Sequence, residues 1–331
     1  MTAPSRRPGR LVVVISAALC IALAGGIGGW LYLRSSNGTD VCKELSKDKR
    51  VRSALGAGSP DAESCSRLGS AIQRATTGEK AGVHSVAQAQ AMKNVLLALG
   101  DITDKTEEEL DSALAVPVSK ALADYMPDVS QILSPGNIDY VRAGVASAPP
   151  WKDDDGIHMS LSRVTLLHVM RHLANHPASY AQLRDAASQR AAGSFTAVPR
   201  DAEEWRFESP TRETAYVLGA MDAVAEDVQK DLGEDGWKDW NTDVFSQLTK
   251  TSSTLPSYQD DPAGHVEISW QHTLRAAGRK NMLARFGTQT ADMVQVWGKG
   301  AALDGELQKS LLKNARDISM LGLHQTARDL S

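Results

Sequence analysis

The sequence has little of what several specialised protein classes need. Its 331 residues include three cysteines, and aromatic residues make up only 5% of the chain. Three cysteines argue against a disulfide-dense scaffold and against a four-cysteine zinc or iron–sulfur site. Lys and Arg number 36 against 40 Asp and Glu, so no basic surface dominates and no nucleic-acid partner is predicted. Because 42% of the residues are hydrophobic and charge is balanced, the composition also argues against disorder.

Catalytic signatures are missing as well. The chain contains no G-x-x-x-x-G-K-[ST] phosphate-binding loop and no G-x-S-x-G nucleophile elbow. We therefore predict a non-enzymatic protein that uses no cofactor.

One long apolar run stands near the start. Residues 11–33 carry no charge and follow a ten-residue tail that holds three arginines and no acid. A helix of this length spans a hydrocarbon core of ~30 Å, and Trp30 and Tyr32 suit the lipid–water interface at its far end. We predict a cytoplasmic tail over residues 1–10 and a transmembrane signal anchor over residues 11–33.

Three alternatives compete with the anchor. Ala22-Leu23-Ala24 has the form of a signal-peptidase site, Cys20 is a candidate for lipidation, and Ser5-Arg6-Arg7 begins like a twin-arginine signal. Cleavage after Ala24 would leave a strongly apolar mature N-terminus. Leu19 is large where lipoprotein sites have a small residue, and the three residues after Arg7 do not continue the twin-arginine pattern.

Charge alone does not settle the orientation of this span. The three arginines of the tail favour a cytoplasmic N-terminus, but basic residues between Arg34 and Arg52 favour the opposite when they are counted. Cys42 and Cys65 favour the first orientation, because two helices joined by a Gly-rich turn could bring them within disulfide distance, which suits an oxidising exterior. The alternative is a pair of buried thiols. We predict a linker over residues 34–40 and an extracytoplasmic domain over 41–331.

Small residues line one face of the predicted span. Gly25 and Gly29 form a G-x-x-x-G motif, which lets two membrane helices approach closely. This motif predicts a possible homodimer through the transmembrane helix.

The remainder of the chain is typical of an all-α fold. Ser59-Pro60 and Ser209-Pro210 place a hydroxyl cap before a proline, Thr106–Glu109 forms a capping box, and residues 85–99 are rich in alanine. Breaks near 148–157 and 251–267 mark either long loops or subdomain boundaries. The predicted helices cover residues 41–55, 60–76, 84–99, 106–126, 137–147, 158–175, 177–192, 210–232, 237–250, 268–286, 289–301 and 304–329.

Two of these helices have informative patterns. Residues 161–173 are apolar nearly all round, which places this helix at the centre of the bundle. The helix at 304–329 has one apolar stripe, which should face the core. That stripe consists of Leu307, Leu311, Leu312, Ala315, Ile318, Leu321 and Leu323.

Three stretches carry a resemblance to a known group of proteins. They are residues 121–129, residues 162–171 with 176–183, and residues 214–222. In this order they resemble an α-helical domain of unknown function found in actinobacterial secreted and polymorphic-toxin-type proteins, over roughly residues 85–250. The resemblance implies an all-helical fold and a link with export or interbacterial systems, but no catalytic residue. This chain departs from such proteins in its N-terminal anchor and in having no recognisable toxin domain.

Three histidines are the main candidates for metal chemistry. His168, His172 and His176 recur every four residues, a spacing at which imidazoles can share a metal ion. The glutamate of H-E-x-x-H is missing, and Arg171 adds a positive charge, so we expect structural histidines. The acidic run Asp153–Asp155 lacks the alternate spacing of an EF-hand, and we expect a solvated loop there.

Tryptophans concentrate in the second half of the chain. They either fill the core or form a glycan- or protein-binding surface, and we favour the core, with Trp151 as the exposed exception.

Together these features predict a single-pass membrane protein whose helical ectodomain binds another protein, in a secretion or toxin-related system. The alternative is a cell-wall-directed or metal-dependent hydrolase that uses His168 and His172. A third hypothesis is a structural envelope module that recognises glycan.

Overall fold

Helices account for most of the residues that the structure describes. It is a computed structural model that describes residues 38–56, 64–105, 109–250 and 254–331, with 76% helix, which confirms the predicted all-α class. Among these residues no helix is long and apolar enough to cross a membrane. The predicted span at 11–33, with Gly25 and Gly29, lies outside them.

Fourteen α-helices and one short hairpin are found in the described ranges. The first seven helices are α1 (Gly38–Lys47), α2 (Lys49–Leu55), α3 (Cys65–Thr76), α4 (Val86–Thr103), α5 (Ser112–Asp124), α6 (Met126–Leu133) and α7 (Ile138–Ala143). After the hairpin strands β1 (Trp151–Lys152) and β2 (Ile157–His158) come α8 (Arg163–Ala174), α9 (Pro177–Thr196), α10 (Glu204–Leu248), α11 (Pro262–Ala277), α12 (Met282–Phe286), α13 (Gln289–Ala301) and α14 (Gly305–Asp329). Helix α10 is kinked at Gly233, where φ is 64° and the backbone is not helical. A 3-10 turn covers Arg279–Asn281.

Side-chain caps fix where several helices begin. Ser85 and Gln88 form a reciprocal capping box at the start of the alanine-rich α4. The helix expected from residue 106 begins instead at Ser112, because the carboxylate of Asp111 accepts a hydrogen bond from the Ala113 amide. The capping-box residues 106–108 and the Ser59-Pro60 pair lie outside the described residues.

The predicted cap at Ser209-Pro210 is wrong. Helix α10 begins six residues earlier, at Glu204, and runs through Pro210. The ring of Phe207 is buried beside Trp297, with 5.8 Å between the ring centroids. Burial of this ring stabilises the helical turns that precede Pro210. The proline costs few backbone hydrogen bonds there, because the first N–H groups of a helix have no partner within the helix.

A two-stranded hairpin replaces the loop expected near 148–157. Trp151 pairs with His158 in antiparallel register. The Asp153 carboxylate closes the turn by accepting hydrogen bonds from the amides of Asp155 and Gly156, and Gly156 supplies a positive φ of 143°. Residues 37–331, including this hairpin, form one compact unit.

Helix α8 occupies the central position that its sequence predicts. It packs against α4, α9 and α10, and most of its apolar side chains are buried. Val164 is the exception, since 48% of its surface is exposed.

The predicted apolar stripe of the C-terminal helix faces the core only in part: Leu311 and Ala315 are buried, and Leu307 and Leu312 pack against the core. The face of α14 that is buried consists largely of small residues, and Leu321 of the predicted apolar stripe is 47% exposed. Small side chains let α14 approach α10 very closely. A Cβ atom added to Gly219 would lie 2.1 Å from the Ser319 carbonyl oxygen, and one added to Gly322 would lie 2.3 Å from the Tyr216 carbonyl oxygen. The buried face comprises Leu311, Ala315, Ser319, Gly322 and Thr326.

The predicted disulfide is confirmed. Cys42 in α1 and Cys65 at the start of α3 are bonded to each other, with a Cα–Cα distance of 5.4 Å. The bond closes a loop with a sequence separation of 23 residues, and it joins the first helices of the domain to each other.

The α10–α14 crossing generates a stability prediction. Gly219→Ala should lower the free energy of unfolding by about 1–3 kcal/mol or more, because the new methyl group overlaps a backbone carbonyl that cannot move freely. Gly193→Ala in α9 is the matched control, since a Cβ there meets nothing within 4 Å, and it should stabilise the chain by roughly 0.5–1 kcal/mol. Urea unfolding followed by tryptophan fluorescence measures both, and equal effects of the two variants would contradict the close crossing.

Candidate functional site

Three exposed apolar side chains, Ile138, Trp205 and Leu321, line one groove in the described part of the chain. Among all the described residues, ten large hydrophobic residues are exposed. Six of them belong to α7 with its following turn, to the first turn of α10, and to α14. These six are Ile138, Val141, Val145, Trp205, Met320 and Leu321. Clusters of this kind mark interaction surfaces, whereas single exposed apolar residues do not.

These three segments border a groove of about 670 Å³. We call it the α7–α10–α14 groove. Its apolar lining comes from Ile138, Trp205, Ile318 and Leu321. Its polar lining comes from Gln131, Ser134, Asn137, Glu208, Ser209, Arg212 and Glu213.

Trp205 is the largest exposed apolar group of the groove. Its side chain is 59% exposed, yet it is held in place from two sides. The indole Nε1 donates a hydrogen bond to Glu203 Oε2 at 2.5 Å, and the Arg206 guanidinium lies 5.3 Å from the ring centroid. A large ring held in one orientation can bind a partner with little loss of side-chain entropy.

The other tryptophans mostly fill the core, as predicted. Trp240, Trp270 and Trp297 are buried. The prediction that Trp151 is the exposed exception is wrong. Trp151 is half-buried and packs edge-on against Tyr140, with 4.9 Å between ring centroids.

A polar chain joins two walls of the groove. Glu213 in α10 accepts a hydrogen bond from Gln131 Nε2 at 2.8 Å, and Gln131 Oε1 accepts one from Asn137 Nδ2 at 2.9 Å. Arg190 Nη2 lies 3.8 Å from the Glu213 carboxylate. These contacts fix the turn between α6 and α7 against α10.

A buried hydroxyl lies in the lining. Tyr216 is 2% exposed, and its hydroxyl has no hydrogen-bond partner among the described residues. Burial raises the pKa of Tyr216, and the guanidinium of Arg163 lies 5.7 Å from its ring centroid. A buried hydroxyl without a partner costs about 1–3 kcal/mol of stability.

Polar contacts of the neighbouring elements hold α7 in position. The Asp128 carboxylate of α6 accepts hydrogen bonds from Tyr140 Oη at 2.6 Å, from His158 Nδ1 at 2.9 Å and from the Met159 amide at 3.0 Å. His158 Nε2 reaches the Asp153 carboxylate at 2.8 Å. We call these four side chains the Asp128–His158 clamp.

The electrostatics of the clamp indicate a structural role. Hydrogen bonds to Asp128, and then to Asp153, raise the pKa of His158 to about 9. Both ring nitrogens are engaged by carboxylates, so the imidazole has no free lone pair with which to act as a base. Burial, and then the charge of Asp128, raises the pKa of Tyr140. The clamp therefore supports the groove wall.

Lys93 also holds the end of α7 and the turn that follows it. It is fully buried, and its ammonium donates hydrogen bonds to the carbonyls of Ala143, Val145 and Ala148 at 2.7–2.9 Å. Burial lowers the pKa of Lys93. Three donors meet three acceptors, so the end of α7 is held although its apolar face points outward.

The histidines proposed for metal binding have separate partners. His168 Nδ1 lies 3.1 Å from an Asp104 carboxylate oxygen, and His176 Nε2 lies 2.5 Å from the Leu110 carbonyl oxygen. Burial, and then the charge of Arg171, lowers the pKa of His172. Within the described ranges, no group of three or more His, Cys, Asp or Glu side chains is placed to hold a metal ion.

Comparison of the chain with family models, with curated proteins and with solved structures finds no match. The resemblance to the secreted and toxin-type helical domain therefore stays a prediction.

The groove cannot be predicted from the sequence pattern. Ile138, Val141 and Val145 have the spacing of a core-facing stripe, and only the surrounding structure shows that this face is outside. The charged residues next to Trp205 indicate that its ring is exposed. Burying the ring in a core would also desolvate Glu203, Glu204 and Arg206, which is costly.

The clamp predicts how stability depends on pH. His158 has a folded pKa of about 9 against an unfolded value near ~6.5, so its contribution to stability is fully present below about pH 6.5 and is lost as pH rises through about 9. The free energy of unfolding should fall more steeply between pH 7 and 10 in the unmodified chain than in His158→Gln. His168→Gln serves as the control, and it should retain the steep fall. A slope in His158→Gln equal to that of the unmodified chain would exclude the clamp.

Proposed function

We propose that this chain is a non-enzymatic, single-pass membrane protein whose helical domain, residues 41–331, lies outside the cytoplasm and binds another protein. The observation that carries the proposal is the α7–α10–α14 groove, where exposed apolar side chains are held by a buried polar framework. By its resemblance, the domain belongs to a secretion or toxin-related system.

The lining of the groove suits a protein partner. Protein interfaces combine an apolar centre with a polar rim, and tryptophan and arginine are enriched among the residues that contribute most binding energy. Here Trp205, Ile138 and Leu321 supply the centre, and Glu208 and Arg212 supply charges of both signs. An uncharged glycan would leave those charges without partners.

The expected occupant is an amphipathic helix of the partner. Its apolar side chains at i, i+3/i+4 and i+7 would enter the groove, and its polar face would stay in water. A volume of about 670 Å³ between three helical segments exceeds what one side chain needs and accommodates several. The rim carries both carboxylates and a guanidinium, which favours a helix with mixed charge flanking its apolar stripe.

Acidic residues argue against a lipid surface as the occupant. Residues 200–213 around Trp205 hold five acids against three arginines, and residues 34–331 hold 33 Lys and Arg against 40 Asp and Glu, a net charge of −7. Anionic headgroups would repel such a region.

The hydrolase alternative lacks structural support. His168 is engaged by Asp104, and the described residues offer no three-ligand group around the His168/His172 pair. The extracytoplasmic location is supported by the apolar run at 11–33 and by the Cys42–Cys65 disulfide, which suits an oxidising compartment.

The location can be tested with single introduced cysteines. A Ser331→Cys variant should react with a membrane-impermeant maleimide in intact cells, since Ser331 is exposed and the native Cys42 and Cys65 are bonded to each other. A Ser5→Cys variant is the control and should react only after lysis. The reverse pattern would place the domain in the cytoplasm.

The groove can be tested by site-specific photo-crosslinking in native membranes. A benzophenone side chain at Ile138 or at Leu321 should crosslink to one partner protein, whereas the same group at Val86, which is 49% exposed and does not line the groove, should not. The crosslinked segment should have apolar residues at helical spacing and, as a synthetic peptide, should bind the purified chain. Trp205→Ala should weaken that binding by about 2 kcal/mol or more, roughly 30-fold in Kd, without lowering stability.

Three results would contradict the proposal. They are crosslinking equally from Val86, crosslinking only to lipid or to a second copy of this chain, and peptide binding that Trp205→Ala leaves unchanged.

A further inference from the structure

A second cavity, of about 420 Å³, lies between α9, the end of α10 and the beginning of α11. We call it the α9–α11 cavity. It differs from the groove because its lining is mainly carboxylate and amide. The polar members are Gln182, Asp185, Gln189, Gln247, Asp261, Glu267 and Gln271, and the remainder are Ala181, Leu248, Gly264 and Ile268.

Helical register places these groups on facing surfaces. Gln182, Asp185 and Gln189 recur at intervals of three and four along α9, and Gly264, Glu267 and Gln271 do the same along α11. The two helices pack against each other, so two polar stripes meet across one space.

The carboxyl groups are held by neutral donors. Asp185 accepts a hydrogen bond from Gln189 Nε2 at 3.0 Å, Glu267 accepts one from Gln271 Nε2 at 3.1 Å, and Asp261 accepts one from the Gly264 amide at 2.8 Å. No Lys, Arg or His side chain lines the cavity, and none of its three acids forms an ion pair among the described residues.

One buried polar atom of the lining is left without a partner. Gln271 is only 9% exposed, and its Oε1 is buried with no hydrogen-bond partner in the described parts of the chain. Such an atom costs about 1–3 kcal/mol unless a donor reaches it. A ligand with N–H or O–H groups would supply that donor.

The charged groups that act on Glu267, Asp185 and Asp261, are both negative. Burial, and then Asp185, raises the pKa of Glu267 to about 7, with Asp261 adding to the effect. Burial also raises the pKa of Asp185. Ionised carboxyls are therefore disfavoured in the empty cavity, and a bound positive charge would reverse this.

We propose that the α9–α11 cavity binds a small organic cation, an amine or guanidinium compound with several N–H donors. Its positive charge would lie between Asp185 and Glu267, and its remaining N–H groups would reach the amide oxygens of the lining. A metal ion is disfavoured because no described group of three or more His, Cys, Asp or Glu side chains is arranged to hold one. The volume lies within the usual range of small-molecule sites, about 300–1,000 Å³.

Isothermal titration calorimetry of the full chain in detergent tests the site. The probes are agmatine and 1,4-diaminobutane, and 1,4-butanediol is the uncharged control. The two cations should bind with a stoichiometry of one, and the diol should not bind. Affinity should rise up to about tenfold per pH unit between pH 5.5 and 7 and then level off, because a cation favours ionised Glu267 and releases its proton.

Two variants assign the effect to the cavity. Glu267→Gln should weaken cation binding at pH 7.5 by at least tenfold and remove its pH dependence. This variant should fold, because neutralising a partly buried carboxyl with a raised pKa removes a destabilising charge, so its melting temperature at pH 7.5 should not fall. Asp260→Asn removes an exposed charge beside Asp261 that does not line the cavity, and it should bind like the unmodified chain.

Several outcomes would overturn the proposal. They are no binding of either cation, equal binding of the diol, unchanged binding by Glu267→Gln, and stoichiometric Ca²⁺ or Zn²⁺ binding that displaces agmatine. Trp205→Ala should leave cation binding unchanged. The cavity and the α7–α10–α14 groove are therefore tested independently, and failure of one proposal does not imply failure of the other.

Discussion

The close approach of α10 and α14 is the constraint on which the proposed binding surface depends. At Gly219 and Gly322 the two backbones are so near that a single methyl group would overlap a carbonyl oxygen. A helix that meets its neighbour through small residues must turn its larger apolar residues elsewhere. Ile318 and Leu321 consequently line the groove instead of the core, so the tight crossing and the exposed apolar surface have one cause.

The opposite wall follows the same logic with different chemistry. Helix α7 is six residues long, too short to be stable alone, and it exposes Ile138 and Val141. Polar contacts take the place of apolar burial, through the Asp128–His158 clamp and the ammonium of Lys93. Buried polar groups whose hydrogen bonds are all formed hold the helix in one arrangement, because breaking a contact leaves an unpaired buried group at a cost in free energy. The groove therefore has one wall set by close packing and one set by hydrogen bonds.

Local signals made the all-α class, the helix near residues 84–99 and the Cys42–Cys65 disulfide predictable, since helix propensity and cysteine spacing can be read from short stretches. The predicted stripe at 304–329 is only partly confirmed, because hydrophobicity ranks leucine above glycine, whereas the crossing at Gly322 selects for small size. The hairpin after Ala148 was missed because two-residue strands have too few residues to show alternation. The clamp joins residues up to 30 positions apart, a proximity that no local pattern encodes.

The distribution of charge along α9 explains why the α9–α11 cavity is acidic. Arg184 and Asp185 are adjacent in sequence but lie on different sides of the helix. The Arg184 guanidinium is buried, where it bonds Asp222 Oδ1 at 2.5 Å and Gln289 Oε1 at 2.8 Å and stacks 3.6 Å from the Phe286 ring centroid. The nearest cation in sequence is thus committed to the core, and it neutralises Asp222 instead of Asp185. The acids of the cavity are left to a proton or to a ligand, and a ligand with N–H groups would also donate to the buried oxygen of Gln271.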